Sequence, residues 1–282
     1  MGGTGDVVNP RALALGLEMR RLREASGLGV RQFANQLGVS HAALSRWETG
    51  ARNPRPEDVA RICTALGVGN DELESLIAEA HKVGKSPWLG IGLVEAHRQL
   101  ATLLEYEQIA ATITSVSPLM IPGLLQTVDY ARVVMQQGGL QSDDAELRVA
   151  IRMGRRDMLT REDSPSLVAL LGEAALRQQV GGAEVMRAQL EHLLKVAAWQ
   201  HVDLRVVPYS AGWHPGVMGN FFLVEFADAS CIVHIETLAT TLFLHEPKDT
   251  ERYVDASTRV LRAAMSTDDS LGLIAAVMKE LE

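Results

Sequence analysis

The sequence predicts an all-α head of five short helices followed by an α+β domain with a small, mainly antiparallel sheet. Three observations lead there. Helical apolar periodicity, broken by glycine and proline, runs without interruption as far as Lys82. Strand-like alternation begins only after Ser166. The formal net charge of −8 is uneven, with +3 on residues 1–66 and −11 on the remainder. Such a shift indicates two domains with different partners. At 282 residues, 47% apolar and 22% charged, the chain is long enough for two cores and too apolar for wholesale disorder. The expected division is a head over 10–82, a linker over 83–90 centred on Lys82-Val-Gly-Lys-Ser-Pro87, and a second domain over 91–282.

Within the head, Leu13, Leu17, Leu22 and Ala25 define a first helix that stops at Ser26-Gly27. Phe33, Ala34 and Leu37 face inward from a second, Val30–Leu37. Gly38-Val39 makes a tight turn, where glycine takes positive φ cheaply. Ser40 is an N-cap for a third helix, His41–Thr49, with Leu44 and Trp47 on one face. Gly50 ends it. Pro54 and Pro56 open a fourth helix burying Val59, Ile62, Cys63 and Leu66, and a fifth runs from Asp71 to Lys82. A short turn between the second and third helices describes a helix-turn-helix.

The second domain reads as one or two helices from Trp88 to Thr114, then a Pro122-Gly123 turn and a long helix Asp143–Thr160 with Arg148, Arg152, Arg155 and Arg156 on one side. Ser166–Leu171 and Val202–Pro208 read as strands on either side of a helix Glu184–His201. Phe221–Phe226, Cys231–Glu236 and Thr241–Leu244 are further strands at hairpin spacing. Thr250–Met265 and Ser270–Leu281 read as closing helices.

The run Arg31-Gln-Phe-Ala-Asn-Gln-Leu-Gly-Val-Ser-His-Ala-Ala-Leu-Ser-Arg-Trp-Glu-Thr-Gly-Ala-Arg-Asn-Pro54 resembles the phage-repressor (Cro/C1, or XRE) helix-turn-helix. The agreement lies at Ala34, Gly38, Val39, Leu44, Trp47-Glu48, Gly50 and Pro54. A third helix of this length fits the major groove, and its outward residues His41, Ala42, Ser45 and Arg46 are the expected base contacts. Arg46 can donate two bonds to guanine, and Ala42 can touch a thymine methyl. Arg31, Ser40, Arg52 and Asn53 are the expected phosphate contacts, setting register without reading sequence. The resemblance further implies that Glu48 pairs with Arg23 and does not face DNA. One departure stands out. The second helix of such domains usually begins Ser-Gln, but Gly29-Val30 occupies those positions, so one cap and one phosphate contact are missing, with Arg31 as the neighbouring substitute. The competing reading of the head is a helical bundle that binds protein.

Beyond the head, Glu105, Ile121-Pro-Gly-Leu-Leu-Gln-Thr127, Asp129-Tyr-Ala-Arg132, Glu173-Ala-Ala-Leu-Arg177, Gln189-Leu190, Arg205-Val-Val-Pro208, Gly219-Asn-Phe221 and His234-Ile-Glu236 occur in that order. They resemble the DUF5753 domain that follows this helix-turn-helix in the Scr1/WhiJ-like group of actinobacterial regulators. The resemblance implies an antitoxin-like transcriptional regulator, often accompanied by a small DUF397-type protein.

Enzyme motifs fail one by one. His234-Ile-Glu236 has no following Pro-Cys-x-x-Cys. His245-Glu246 lacks the second histidine of a zincin, with Asp249 in its place. Gly84-Lys85-Ser86 would need glycine where Glu79 stands, and Gly90-Ile-Gly92 lacks its third glycine. Gly-x-Ser-x-Gly does not occur. Cys63 and Cys231 match no metal or redox spacing. The expectation is therefore no enzyme, no metal and no cofactor. A ligand or partner pocket is expected from Trp213, His214, Asn220 and Phe221 on a glycine-rich loop, His234 and Glu236 on one strand face, and Glu173 with Arg177 one turn apart. The same residues also read as a satisfied polar cluster at an interface. The expected partners are double-stranded DNA bearing an inverted-repeat operator, a second copy of the chain, and a small DUF397-type protein or small-molecule effector. A basic head suits DNA, while an acidic domain suits other partners. With no apolar leader and no apolar stretch long enough to span a bilayer, the expected location is cytoplasmic and no membrane partner is expected.

Overall fold

Asn9 and Pro10 start the first helix, α1 (Pro10–Ala25): Asn9 Oδ1 accepts the amides of Arg11 and Ala12 at 3.0 and 3.2 Å, and Pro10 loses no helical bond at that position. In the computed structural model, which describes residues 8–83, 88–91, 93–138, 142–237 and 240–281, four more helices follow. They are α2 (Val30–Leu37), α3 (His41–Glu48), α4 (Pro56–Ala65) and α5 (Asn70–Ala80). Their apolar faces close one core, with Leu15, Met19, Phe33, Leu44, Ile62 and Leu76 at its centre. The expected five-helix head is present. Gly84–Pro87 of the expected linker, the Gly84-Lys85-Ser86 fragment and Gly92 lie outside the described residues.

Two glycines permit close approach. A Cβ on Gly16 of α1 would lie 2.3 Å from the Trp47 carbonyl oxygen and 2.7 Å from that of Glu48, so α1 crosses the end of α3 backbone to backbone. Gly50 has φ +69° and would meet the Leu13 Cα at 2.7 Å.

After the head come β1 (Trp88–Ile91), α6 (Leu93–Ile109) and β2 (Thr112–Ser117). Here the expectation of helix from Trp88 to Thr114 is corrected at both ends. Thr112-Ile-Thr-Ser-Val-Ser117 is rich in β-branched residues, and β-branching favours the pleated backbone. The remaining elements are α7 (Val128–Gln137), α8 (Ser142–Asp157), β3 (Ser166–Gly172), α9 (Glu173–Arg177), α10 (Gly182–Val196), β4 (Val202–Val207), β5 (Phe221–Glu225), β6 (Cys231–Glu236), β7 (Thr240–Leu244), α11 (Pro247–Ala263) and α12 (Thr267–Lys279). The helix expected over Glu184–His201 stops at Val196, and a turn delivers Trp199 and His201, whose rings stack at 5.8 Å.

The chain forms two compact units, Met1–Glu105 with Ser230–Asp249, and Tyr106–Ala229 with Thr250–Glu282. In the first, the head is joined by β1, β7 and β6, in that order and antiparallel throughout, with Trp88 stacked on Phe243 at 5.6 Å. In the second, the order is β5-β2-β3-β4. The β2–β5 pair is antiparallel, while β2–β3 and β3–β4 are parallel. The parallel pairs follow from their connections, because α7–α8 and α9–α10 are long enough to return the chain to the same end. A core of Ile113, Leu125, Leu167, Leu190, Leu204 and Ile274 fills this unit. Its outer strand β4 is covered: Val206 N–H donates to Ser270 Oγ at 2.9 Å and its carbonyl accepts from Met265 N–H at 2.9 Å. Among the described residues antiparallel pairings outnumber parallel ones, as expected. No helix among the described residues is long and apolar enough to cross a membrane.

Candidate nucleic-acid interface

Several of the groups that the helix ends leave unsatisfied at the turn between α2 and α3 find partners. Gly38 takes the left-handed conformation (φ 67°, ψ 31°) and ends α2. Arg61 of α4 donates to the Leu37 carbonyl at 2.6 Å, which closes one of the last acceptors of α2. Ser40 Oγ then accepts the Ala43 amide at 3.1 Å and begins α3. At the start of α2, by contrast, Gly29 supplies no side-chain cap, as its sequence implied.

The far end of α3 is held by a buried ion pair. Glu48 accepts from Arg23 Nε at 2.6 Å and Nη2 at 2.9 Å, each side chain being 5% exposed, and Arg23 Nη1 donates to the Leu28 carbonyl at 2.7 Å. Glu48 therefore faces the protein and not the solvent, in line with the implied pairing. Leu44 and Trp47 point the same way. The opposite side of α3 is left outward: His41, Ala42 and Arg46 are exposed and Ser45 is half-buried. Arg46 Nε donates to the Ala42 carbonyl at 3.1 Å, which leans the side chain along the helix and leaves its Nη groups for a base edge.

Around this face Arg31, Ser40, Arg52 and Asn53 are all exposed. The Arg52 amide donates to the Arg46 carbonyl at 3.0 Å, so the loop after α3 folds back and sets Arg52 beside the helix end. The base-reading and phosphate-binding candidates thus lie on α2, on α3 and in the segments that flank α3, all exposed except half-buried Ser45. Cys63 is buried in the head core, and burial pushes its thiol up to about 11.

The expected pocket residues fall in both units. His234 and Glu236 lie on β6, but His234 is buried with its ring 4.7 Å from Phe243, whereas Glu236 is exposed at the strand end. Glu173, Arg177, Trp213, His214, Asn220 and Phe221 belong to the second unit. Glu173 accepts from Arg177 Nε at 2.7 Å and from the Tyr209 amide at 3.0 Å, and Arg177 also donates to Glu280 at 2.7 Å. Burial opposes the Glu173 charge, but the Tyr209 amide and Arg177 outweigh it and hold the carboxyl below its ordinary range. Phe221 is buried edge-on to Tyr253 at 5.1 Å, and Asn220 is half-buried. His214 is held below the usual imidazole value by burial. Trp213 stands 67% exposed with the Arg259 guanidinium 5.6 Å from its ring centre.

Two features went unread in the sequence. The Ile121–Thr127 run is an internal brace: Gln126 Nε2 donates to the Ile121 carbonyl at 2.7 Å and its Oε1 accepts from Arg152 at 3.0 Å. Gln189 accepts the Thr127 amide and donates to the Leu125 carbonyl, both at 2.7 Å. Secondly, Leu119, Met120, Tyr209, Val217 and Met218 are exposed alongside Trp213. They occupy loops at one end of β5-β2-β3-β4, and being isolated apolar residues near glycine and proline they carry no periodic signal.

Comparison with known families matches residues 14–76 to a helix-turn-helix domain, and residues 100–276 to the domain of unknown function DUF5753. A comparison with curated proteins found no match. The second family model alone spans more than half the chain, and the first carries the face just described. The protein belongs to the DUF5753 family and bears, at its N-terminal end, the helix-turn-helix of DNA-binding regulators.

Proposed function

We propose that the protein is a sequence-specific transcription regulator that acts as a homodimer in the cytoplasm, and that it is not an enzyme. Each α3 reads one half-site of an inverted repeat through His41, Ala42, Ser45 and Arg46, while Arg31, Ser40, Arg52 and Asn53 hold the phosphates. The second domain dimerises and receives the signal, either a small DUF397-type protein or a small molecule. What carries this reading is the outward face of α3, where exposed Arg46 stands beside exposed Arg52 with Glu48 turned inward. The test is selection of binding sites from random duplexes, followed by footprinting of the wild type and Arg46→Ala. The expected result is an inverted repeat, with the variant losing discrimination at one position per half-site and about 1–3 kcal/mol of affinity. Protection of the same operator at unchanged affinity would refute the assignment.

A second reading, an antitoxin-like protein whose main output is sequestration of a small partner with autoregulatory DNA binding, is favoured by one observation. Aromatic and methionine side chains are enriched in the cores of protein interfaces, and Trp213 and Met218 are 67% and 82% exposed. Co-purification of a small protein, with loss of DNA binding in the complex, supports sequestration. Retention of DNA binding in that complex counts against it.

A further inference from the structure

We propose that two copies of this chain pair through the uncharged loops at the carboxyl ends of β2 and β4, an assignment that rests on the homodimeric function proposed above. Residues 118–127 connect β2 to α7, residues 208–220 connect β4 to β5, and neither loop contains an Asp, Glu, Lys or Arg. The sheet brings the two together. Because β2, β3 and β4 are parallel, both loops leave from one end, and the Val116–Phe221 register returns the second loop beside the end of β2. A Cβ on Gly172 would lie 2.2 Å from the Pro118 carbonyl oxygen, and one on Gly216 would lie 3.2 Å from Val116 Cγ1, so each loop packs down onto a strand end.

The face is held in place before any partner arrives. The Tyr209 amide donates to Glu173 Oε2 at 3.0 Å, the Ala211 amide to the Pro208 carbonyl at 3.0 Å, and the Val217 amide to the His214 carbonyl at 3.1 Å. Arg259 lies over the Trp213 ring. Such ordering in advance lowers the entropy cost of association. The charged groups at the margin already have partners, Glu173 with Arg177 and Arg259 with Asp255. Burial holds His214 below the ordinary imidazole value, so it is mostly uncharged at neutral pH.

Among the described residues, all nine large apolar side chains that stand exposed belong to the second unit, and Leu119, Met120, Tyr209, Trp213, Val217 and Met218 are six of them. These six are 39–82% exposed. With a whole aromatic side chain presenting about 150–250 Å², they leave roughly 600 Å² of apolar surface in water. That is the greater part of the about 800 Å² that one partner contributes to a standard interface. Charge selects the occupant. A basic protein is attracted by carboxylates and a nucleic acid by cations, and these loops offer neither. Residues 67–282 carry −11, so two copies repel where acidic surfaces meet and least where no charge stands. Interface cores are likewise depleted of charge and enriched in Trp, Tyr and Met.

Sedimentation velocity of the full chain over a range of concentrations tests this, with Leu119→Glu on one loop, Met218→Glu on the other, and Leu147→Glu on α8 as the control. All three positions are exposed, so the fold should persist, as far-ultraviolet dichroism verifies. Leu119→Gln and Met218→Gln serve if either carboxylate disturbs it. In a two-fold dimer each substitution enters the interface twice. The wild type and Leu147→Glu should be dimers, and each loop variant should dissociate with a Kd raised at least about thirtyfold. A wild-type monomer at every concentration refutes the homodimer and the face together. A wild-type dimer that either folded loop variant retains refutes the face alone. A dimer that persists while a co-purifying small protein is lost from the variants assigns the loops to that protein and equally overturns the proposal.

Discussion

Removing the Glu48 carboxylate should unfold the head more readily than any surface change, and the size of the effect follows from the pair's surroundings. Glu48→Ala leaves the Arg23 guanidinium 5% exposed and without the two charge-assisted bonds at 2.6 and 2.9 Å. One nearby acid, Glu24, reaches Arg23 Nη2 at 3.3 Å but is itself half-exposed, so its field is largely screened. Stranding one partner of a buried pair costs about 3–5 kcal/mol. Replacing both partners by apolar groups is a different matter: Arg23→Met/Glu48→Leu removes both desolvation costs and loses mainly the bond to the Leu28 carbonyl, about 1 kcal/mol. Urea unfolding of the full chain, followed by far-ultraviolet dichroism, should therefore show a strongly lowered midpoint for Glu48→Ala and for Arg23→Met. The double variant should lie closer to wild type than either. Additive single effects, or a Glu48→Ala loss below about 1 kcal/mol, would show that the pair is not the anchor of α3.

Three further outcomes follow from the geometry. Gly16→Ala places a methyl 2.3 Å from the Trp47 carbonyl, so α1 and α3 must separate at a cost of about 1–3 kcal/mol; operator affinity should fall while helical dichroism persists. His192, His214 and His245 are each held below the ordinary imidazole value, chiefly by burial. Since their folded pKa values lie below the unfolded ones, their stabilisation is complete above about pH 6.5 and is lost as pH falls through the folded values. Urea midpoints should decline across that window, and the slope should lessen in His192→Phe. Arg52→Ala should reduce the slope of log affinity against log salt by about 0.9 per head, read by fluorescence anisotropy, with little change in sequence preference.

The head was legible because its signals are local. Gly38, Ser40, Gly50 and Pro56 each act through the backbone within a few residues, and their chemistry leaves little freedom in where the helices stop. The inward Arg23–Glu48 pair came from resemblance, since 25 positions separate the partners and no local rule joins them. Arg61 shows the limit: its charge reads as a surface cation, yet the guanidinium serves the end of α2. In the second unit the partners are mostly distant in sequence. Glu173 with Arg177 is an i, i+4 pair that spacing reveals, whereas Arg177 with Glu280 spans 103 positions. His234 and Glu236 share strand parity, but β6 ends at Glu236, and parity cannot distinguish a covered strand centre from an open end. β1 was missed because four residues hold too little pattern to compete with the apolar helical spacing that follows.

The uneven charge resolves further once contacts are assigned. Of the nine cations in residues 1–66, Arg11, Arg20, Arg21, Arg23 and Arg55 lie within ion-pair distance of carboxylates, and Arg61 donates to a backbone carbonyl. Among the described residues no carboxylate pairs with Arg31, Arg46 or Arg52, and all three are exposed, on α2, on α3 and in the loop after α3. The cations left without a carboxylate are thus not spread evenly over residues 1–66; three of them lie on α2, on α3 and in the loop after α3. A pairing pattern that sets five of the nine arginines against carboxylates and leaves these three exposed concentrates a modest charge into a local field. That is how a chain with net charge −8 can present a face suited to DNA.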